Sequence, residues 1–295
     1  MISHTKPVIV IAGPTATGKS SLAIKLAKEI NGEILNADSR QMYRELNVGT
    51  ARPTSEEMLD ITHHLYGHIS VRETYNIYKY QQDVKKVLKE IAKEKTPILV
   101  GGSGLYIDSV IFNYKLNQNE KTQIDLVRRE KLNKLNTKEL QSLIKEIDPL
   151  LLKNLNRSDQ KNPVRLLRII EKGGQRQKGE SLKHKYFVID LEKEELERRI
   201  TERTEMMFER GLLEENVKLR EKGLDKYSAF KTIGYQEFDK YFKEEISLNT
   251  VKEEIIKNTK RYAKRQRTWF RKHGHAIWTN DYNLILEESV KLIKT

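Results

Sequence analysis

Val8-Ile9-Val10-Ile11-Ala12-Gly13-Pro14-Thr15-Ala16-Thr17-Gly18-Lys19-Ser20 is the stretch that decides the fold. Its first four residues form a short apolar, β-branched run, the mark of a buried parallel strand. Gly13 to Ser20 then match G-x-x-x-x-G-K-[ST] in full, after a strand and at the opening of a helix, where that motif has to sit. The two glycines let backbone N–H groups curl around phosphate oxygens, and the helix N-terminus adds partial positive charge. Lys19 brings a point charge, and the Ser20 hydroxyl is a candidate ligand for Mg2+, the expected cofactor. The loop does not name the reaction. One cradle serves a donor whose phosphate moves, or a diphosphate that departs as an anion.

Working outward, a helix is expected from about Ser20, with Leu22, Leu26 and Ile30 on one face and Gly32 ending it. Residues 34–38 read as a second strand that ends in the carboxylate of Asp38. Ile77, Tyr80, Val84, Val87, Leu88 and Ile91 recur at helical spacing over 77–94, and 97–103 is a third strand stopping in a glycine turn. The alternation predicts an α/β fold, a P-loop NTPase-like parallel sheet flanked by helices. After Tyr114 the pattern changes to basic, Leu- and Asn-rich helical segments, and strand character returns at 187–191. The expected organisation is a discontinuous core, 1–116 and 187–295, interrupted by a helical insertion at 117–186. Long helices are expected at 193–222 and 249–272, with a last strand at 276–278.

The chain of 295 residues carries a formal charge of +13 and no cysteine, which excludes disulfides and cysteine zinc sites. No stretch approaches the roughly 18 apolar residues that span a bilayer, and the N-terminus shows no secretory pattern. A cytoplasmic, monomeric protein is the expectation. The charge is concentrated. Residues 117–186 hold 17 Lys and Arg against 9 Asp and Glu, and residues 258–275 hold seven basic residues and no acid. Such clustering suits a polyanionic partner.

Asp38 lies at the carboxyl edge of the sheet, where α/β folds place ligands. It serves as a base, a magnesium partner or a helix cap by position alone. Neither D-x-x-G nor N-K-x-D occurs, which disfavours a GTPase. A small-molecule kinase stays open, with Arg165 and Arg168 or Arg199 and Arg203 as its lid arginines. A non-catalytic RNA-binding P-loop protein is a third reading. His63 and His64 are adjacent and lack an obvious third ligand, so no metal role is assigned to them. Trp269, Phe270 and Trp278 are read as core.

GPTATGKS, DSRQMY (38–43), GTARP (49–53), HHL (63–65), GGSGLY (101–106), IGYQE (233–237) and TKRYAKRQRTWFR (259–271) follow one another in this order. In sequence and spacing this set resembles the tRNA dimethylallyltransferases, or tRNA isopentenyltransferases. Enzymes that prenylate free adenine nucleotides resemble only its first half. The resemblance implies transfer of a dimethylallyl group from its diphosphate to the N6 amine of the adenosine immediately 3′ of the anticodon. It implies Asp38 as general base, with Ser103 near the reacting adenosine and Lys231 where some relatives carry a diphosphate-touching arginine. It also implies tRNA contacts, to the anticodon stem-loop, from Asp38, Ser39, Arg40, Gln41, Ser103 and Arg128. Further contacts are implied for Val164, Arg165, Leu166, Leu167 and Arg168, and for Lys260, Arg261, Lys264 and Arg265 on one broad helix face.

Overall fold

The computed structural model describes residues 7–116, 130–153, 155, 157–172 and 178–294. Six strands form one sheet in the order β3-β2-β4-β1-β5-β6, every neighbouring pair parallel. They are β1 (Val8–Ala12), β2 (Gly32–Asn36), β3 (His63–His64), β4 (Thr96–Gly101), β5 (His184–Val188) and β6 (Ile277–Trp278). Pairing of Ala12 with both Gly101 and Val188, and of Asn36 with Val100, brings four strand ends to one edge. The segments leaving that edge are the phosphate loop, residues 37–41, Gly102-Ser103 and Ile189-Asp190.

The packing explains the element positions. Helix α1 (Lys19–Glu29) buries Ala23, Ile24, Leu26 and Ala27 against Ile9, Ile11, Ile34 and Ile98 of the sheet. It ends at Glu29, and Gly32 is not its cap but the first residue of β2. A Cβ there would lie 2.7 Å from Ile98 Cδ1, so the glycine answers to strand–helix packing. Helix α2 is a single turn (Ser55–Met58), and α3 (Ile77–Glu90) buries Tyr80, Val84, Val87 and Leu88. Helix α4 (Gly104–Ile111) follows β4 directly.

The chain divides into two compact units, one reaching Ile111 and resuming at Leu182, the other spanning Phe112–Ser181. The described helices of the second unit are α5 (Thr137–Ile147), α6 (Pro149–Lys153), α7 (Arg157–Gln160) and α8 (Pro163–Lys172). They enclose their own core of Leu132, Leu140, Ile144, Leu152, Leu166, Leu167 and Ile170. Leu166 and Leu167, expected at an RNA surface, are therefore interior. The amphipathic period of α8 turns them inward and leaves Val164, Arg165 and Arg168 exposed. Arg128 lies outside the described residues.

In the first unit the expected long helix at 193–222 is two. Helix α9 (Lys193–Glu209) and α10 (Leu212–Glu221) are separated by Gly211, whose φ of 87° breaks the helical ladder. Helix α11 (Phe238–Tyr241) leads to α12 (Leu248–Phe270), and α13 (Tyr282–Lys294) follows β6. Phe270 is fully buried, as read from sequence, but Trp278 is 37% exposed because β6 is a two-residue edge strand. Among the described residues no helix is long and apolar enough to cross a membrane.

Leu166→Ala should destabilise the second unit by about 2–5 kcal/mol, the usual cost of emptying a core leucine site. Chemical denaturation followed by probes in that unit measures it. An unfolding midpoint equal to that of the native protein would contradict the interior placement.

Candidate functional site

The phosphate loop is closed from within and from afar. Gly13 has φ 146°, and a Cβ on it would stand 2.1 Å from the Ile189 carbonyl, so only glycine lets the loop leave β1 there. Thr17 Oγ1 donates to the Pro14 carbonyl at 2.9 Å, and the Lys19 ammonium donates to the same carbonyl. Gln266 of α12 accepts from Thr15 N–H at 2.9 Å and donates to Gly102 O at 2.9 Å, tying the loop to the end of β4. Thr15 N–H is thus withdrawn from any ligand, and the cradle begins at Ala16. Arg203 of α9 donates from one nitrogen to Thr15 Oγ1 at 3.0 Å and from another to Thr50 O at 3.3 Å.

Two half-buried basic side chains consequently share one cradle. Burial pulls the Lys19 ammonium down to about 7, and the charge of Arg203 adds to the fall, while Asp38 and Asp190 oppose it. The Arg203 guanidinium is likewise lowered by burial, against the pull of Asp38. The folded value of Lys19 lies below its unfolded one. Stability therefore grows as pH rises from about 7 toward 10.5, and below that window the full cost of burying the charge remains.

Across the sheet edge Asp38 follows β2 by two residues. Its N–H donates to Asn36 Oδ1 at 2.9 Å, and its Oδ1 accepts from Arg40 N–H at 2.9 Å. Among the described residues no hydrogen bond reaches its Oδ2. Ser103 Oγ accepts from Ser39 N–H at 3.0 Å and donates to Ser39 Oγ at 3.2 Å, so it fixes the turn beside the carboxylate. Gln41 Nε2 donates to the carbonyls of Thr50 and Ala51 at 3.1 and 3.0 Å. The turn that carries Thr50 is itself held by Glu215, which accepts from Val48 N–H at 2.9 Å and from the buried Tyr235 hydroxyl.

Asp38 borders two cavities. The larger, of about 700 Å³, is lined by Thr15, Lys19, Ser20, Gln41, Arg203 and Gln266 among others. The smaller, of about 290 Å³, is lined by Ser39, Arg40, Lys231, Tyr262 and Arg265. Asp38, Thr15, Arg203 and Met207 line both. One carboxylate therefore stands between the cleft lined by Lys19 and Ser20 of the phosphate loop and a second, basic recess.

The family model described as IPP transferase matches residues 41–273. The chain belongs to the IPP transferase family. A tRNA dimethylallyltransferase of Thermosipho melanesiensis is 36% identical over 295 residues, covering 97% of each chain. The crystal structure of a full-length tRNA isopentenylpyrophosphate transferase from Bacillus halodurans matches with a TM-score of 0.73 and 30% identity, over 99% of this chain and 100% of that one. A eukaryotic dimethylallyltransferase captured acting on tRNA matches with a TM-score of 0.77 and 27% identity, over 90% of this chain and 70% of its own.

In this member of the IPP transferase family the sequence-read residues fall into four places. Asp38, Ser39, Arg40, Gln41, Ser103 and the phosphate loop converge at the sheet edge. Lys231 is exposed on the smaller recess, and Arg203, not Lys231, is the side chain bonded to the phosphate loop. The arginine was legible only as a kinase-type lid residue, because the contact spans 188 positions in sequence. On α12, Arg261, Lys264 and Arg265 are exposed, whereas Lys260 donates to Glu197 of α9 at 2.8 Å. The expected absence of offsetting acids is thus corrected: α9 supplies one, and Asp190 pairs with Arg267 at 2.7 Å. In the second unit Arg165 pairs with Asp159. His63 Nδ1 meets the Ile61 carbonyl and His64 Nε2 meets Glu33, both structural contacts. Gln266 and Tyr262 are site residues that the motif contained without revealing their roles.

Binding of a diphosphate ester at pH 8 should draw about one proton onto the largely neutral Lys19. Calorimetry in buffers of differing ionisation enthalpy measures that uptake, and Lys19→Met should abolish it. Binding by the native protein without proton uptake would mean that Lys19 is already charged in the free cradle.

Proposed function

We propose that the chain transfers a dimethylallyl group from dimethylallyl diphosphate to the N6 amine of the adenosine immediately 3′ of the anticodon in tRNA, releasing diphosphate. The observation that carries this reading is Asp38 between the two cavities, with the phosphate cradle on one side and a basic recess on the other. Family membership and relatives named for tRNA dimethylallyl transfer support it. The partners are dimethylallyl diphosphate and the anticodon stem-loop, and the chain acts as a cytoplasmic monomer.

An adenine amine is a weak nucleophile, since its lone pair is delocalised into the ring. Asp38 counters this by accepting one amine proton on Oδ2, while Arg40 N–H holds Oδ1 and so fixes the plane of the carboxylate. As N6 bonds to carbon 1, the carbon 1–oxygen bond breaks and its electrons leave with the diphosphate. Lys19, Arg203 and the N–H groups from Ala16 onward receive that charge as it develops. Ser103 keeps the 37–41 turn in register with the acceptor recess. A base stacked in a loop has to be extruded to reach Asp38, at a cost of a few kcal/mol.

The donor set suits magnesium. Ser20 lines the cleft, and among the described residues no group of three His, Cys, Asp or Glu forms a closed metal cage. Mg2+ typically takes one or two protein oxygens together with phosphate oxygens and water. When bound at Ser20 it would supply charge neutralisation at the diphosphate.

Asp38→Asn keeps an oxygen for Arg40 N–H and removes the base. Incubated with Mg2+, labelled dimethylallyl diphosphate and unmodified tRNA, it should slow transfer by at least about a hundredfold, the lower range for general-base removal. Its tRNA affinity should stay within a few-fold. Normal turnover would remove Asp38 from the mechanism, and native protein that never labels RNA would refute the reaction. Arg261→Ala with Arg265→Ala should lower the slope of log affinity for tRNA against log salt by roughly 0.7–0.9 for each phosphate no longer neutralised. Lys260→Ala, already paired with Glu197, should change it less. An unchanged slope in the double variant would mean that this face of α12 does not meet phosphate.

A further inference from the structure

The cleft that holds Lys19 and Ser20 also carries apolar side chains that stand partly in solvent. Leu59 is 52% exposed and Met206 is 46% exposed, and both line the larger cavity. Arg203, Met206, Met207 and Arg210 follow one another along α9 and its C-cap, and all face it. Over two turns the helix thus presents a guanidinium, two thioethers and a second guanidinium. The first of these is fixed at the phosphate loop by the bond to Thr15. The methionines therefore begin ~4.5–6 Å along the axis from the cradle, about the reach of a short branched alkyl chain attached to the diphosphate.

Helix α2 and its N-cap contribute Thr54 and Glu57 to the same lining. The two residues form a reciprocal capping box, and Glu57 pairs with Arg210 at 3.3 Å. The C-cap residue, Leu59, has φ 52° and ψ −149°, a conformation that L side chains rarely adopt and glycine adopts freely. Leu59 is half-exposed and outside the buried core, so core burial does not account for a large apolar side chain at this strained position. Strain of this kind concentrates at ligand clamps.

We propose that Leu59 and Met206 form the far wall of the donor's alkyl subsite and determine which allylic diphosphates the enzyme accepts. The inference rests on the transfer reaction proposed above and deepens it. A branched five-carbon chain packs against both side chains, and a ten-carbon chain is stopped by them. Chain length leaves the chemistry unchanged. The carbon 1–oxygen bond breaks, the carbon 1–N6 bond forms, diphosphate leaves and the amine proton passes to Asp38. Discrimination therefore resides in how the chain seats, where apolar pockets separate substrates by about 10–200-fold per methylene-sized difference.

The test compares dimethylallyl with geranyl diphosphate on unmodified tRNA, for native protein, Leu59→Gly, Met206→Ala and the double variant. Native protein should favour dimethylallyl diphosphate. The double variant should move the ratio of kcat/KM toward geranyl diphosphate by about tenfold or more. Leu59→Gly relieves the backbone, so its melting temperature should hold or rise while selectivity falls, an outcome that a merely structural role would not give. It also tests the wall by itself if the double variant fails to fold. A ratio unchanged from the native one in folded Leu59→Gly and the double variant overturns the assignment. Native protein inert with both donors would instead refute the transfer reaction and leave selectivity without meaning.

Discussion

Lys19 and Arg203 meet at the phosphate loop, where desolvation lowers both and the guanidinium charge adds to the fall of the lysine. Arginine does not give up its proton in proteins, so the lysine yields and falls to about 7. The surroundings hold this repulsion in place. Gln266 braces the loop against Gly102, Glu215 and Tyr235 hold the Val48–Thr50 turn, and that turn's Thr50 carbonyl accepts from Arg203. In the proposed reaction the diphosphate donor would offset that repulsion, so a ligand with concentrated negative charge suits the cradle.

The second constraint is the place of Asp38. A carboxylate inside the cradle would compete with the anion. One removed from it would not reach an acceptor bound opposite the donor. The Asn36 and Arg40 contacts fix it at the boundary between the two cavities, close enough to draw on both cations electrostatically. In the proposed reaction this geometry lets bond making at N6 and bond breaking at carbon 1 occur on opposite sides of one wall. The basic recess, with Arg40, Lys231 and Arg265, then complements a nucleic-acid acceptor in sign.

What the sequence made legible was local. The phosphate loop is a continuous string whose spacing carries its own physics, and Asp38 follows a strand-like run at the correct edge. The parallel sheet and the helical character of the insertion follow from the same periodicities. Contacts made over long separations were not legible. Arg203 and Gln266 reach the loop from 188 and 251 residues away, and no periodicity announces either partner. Leu166 and Leu167 sat inside a basic string and read as part of it, although the helical period of α8 turns them inward. Gly32 read as a helix terminator because glycine often is one, whereas here the neighbouring Ile98 side chain sets the demand. The basic residues of 258–275 looked unopposed because their acids, Glu197 and Asp190, belong to other parts of the chain.

The proposed reaction requires that the cradle hold a diphosphate that leaves rather than a phosphate that moves. Donor labelled with oxygen-18 at the bridge between carbon 1 and the diphosphate tests this directly, by mass analysis of the products formed on tRNA. All label should emerge in the released diphosphate, and the RNA should gain the mass of the alkyl group. Label retained in dimethylallyl alcohol, or a phosphoryl group gained by the acceptor, would contradict it.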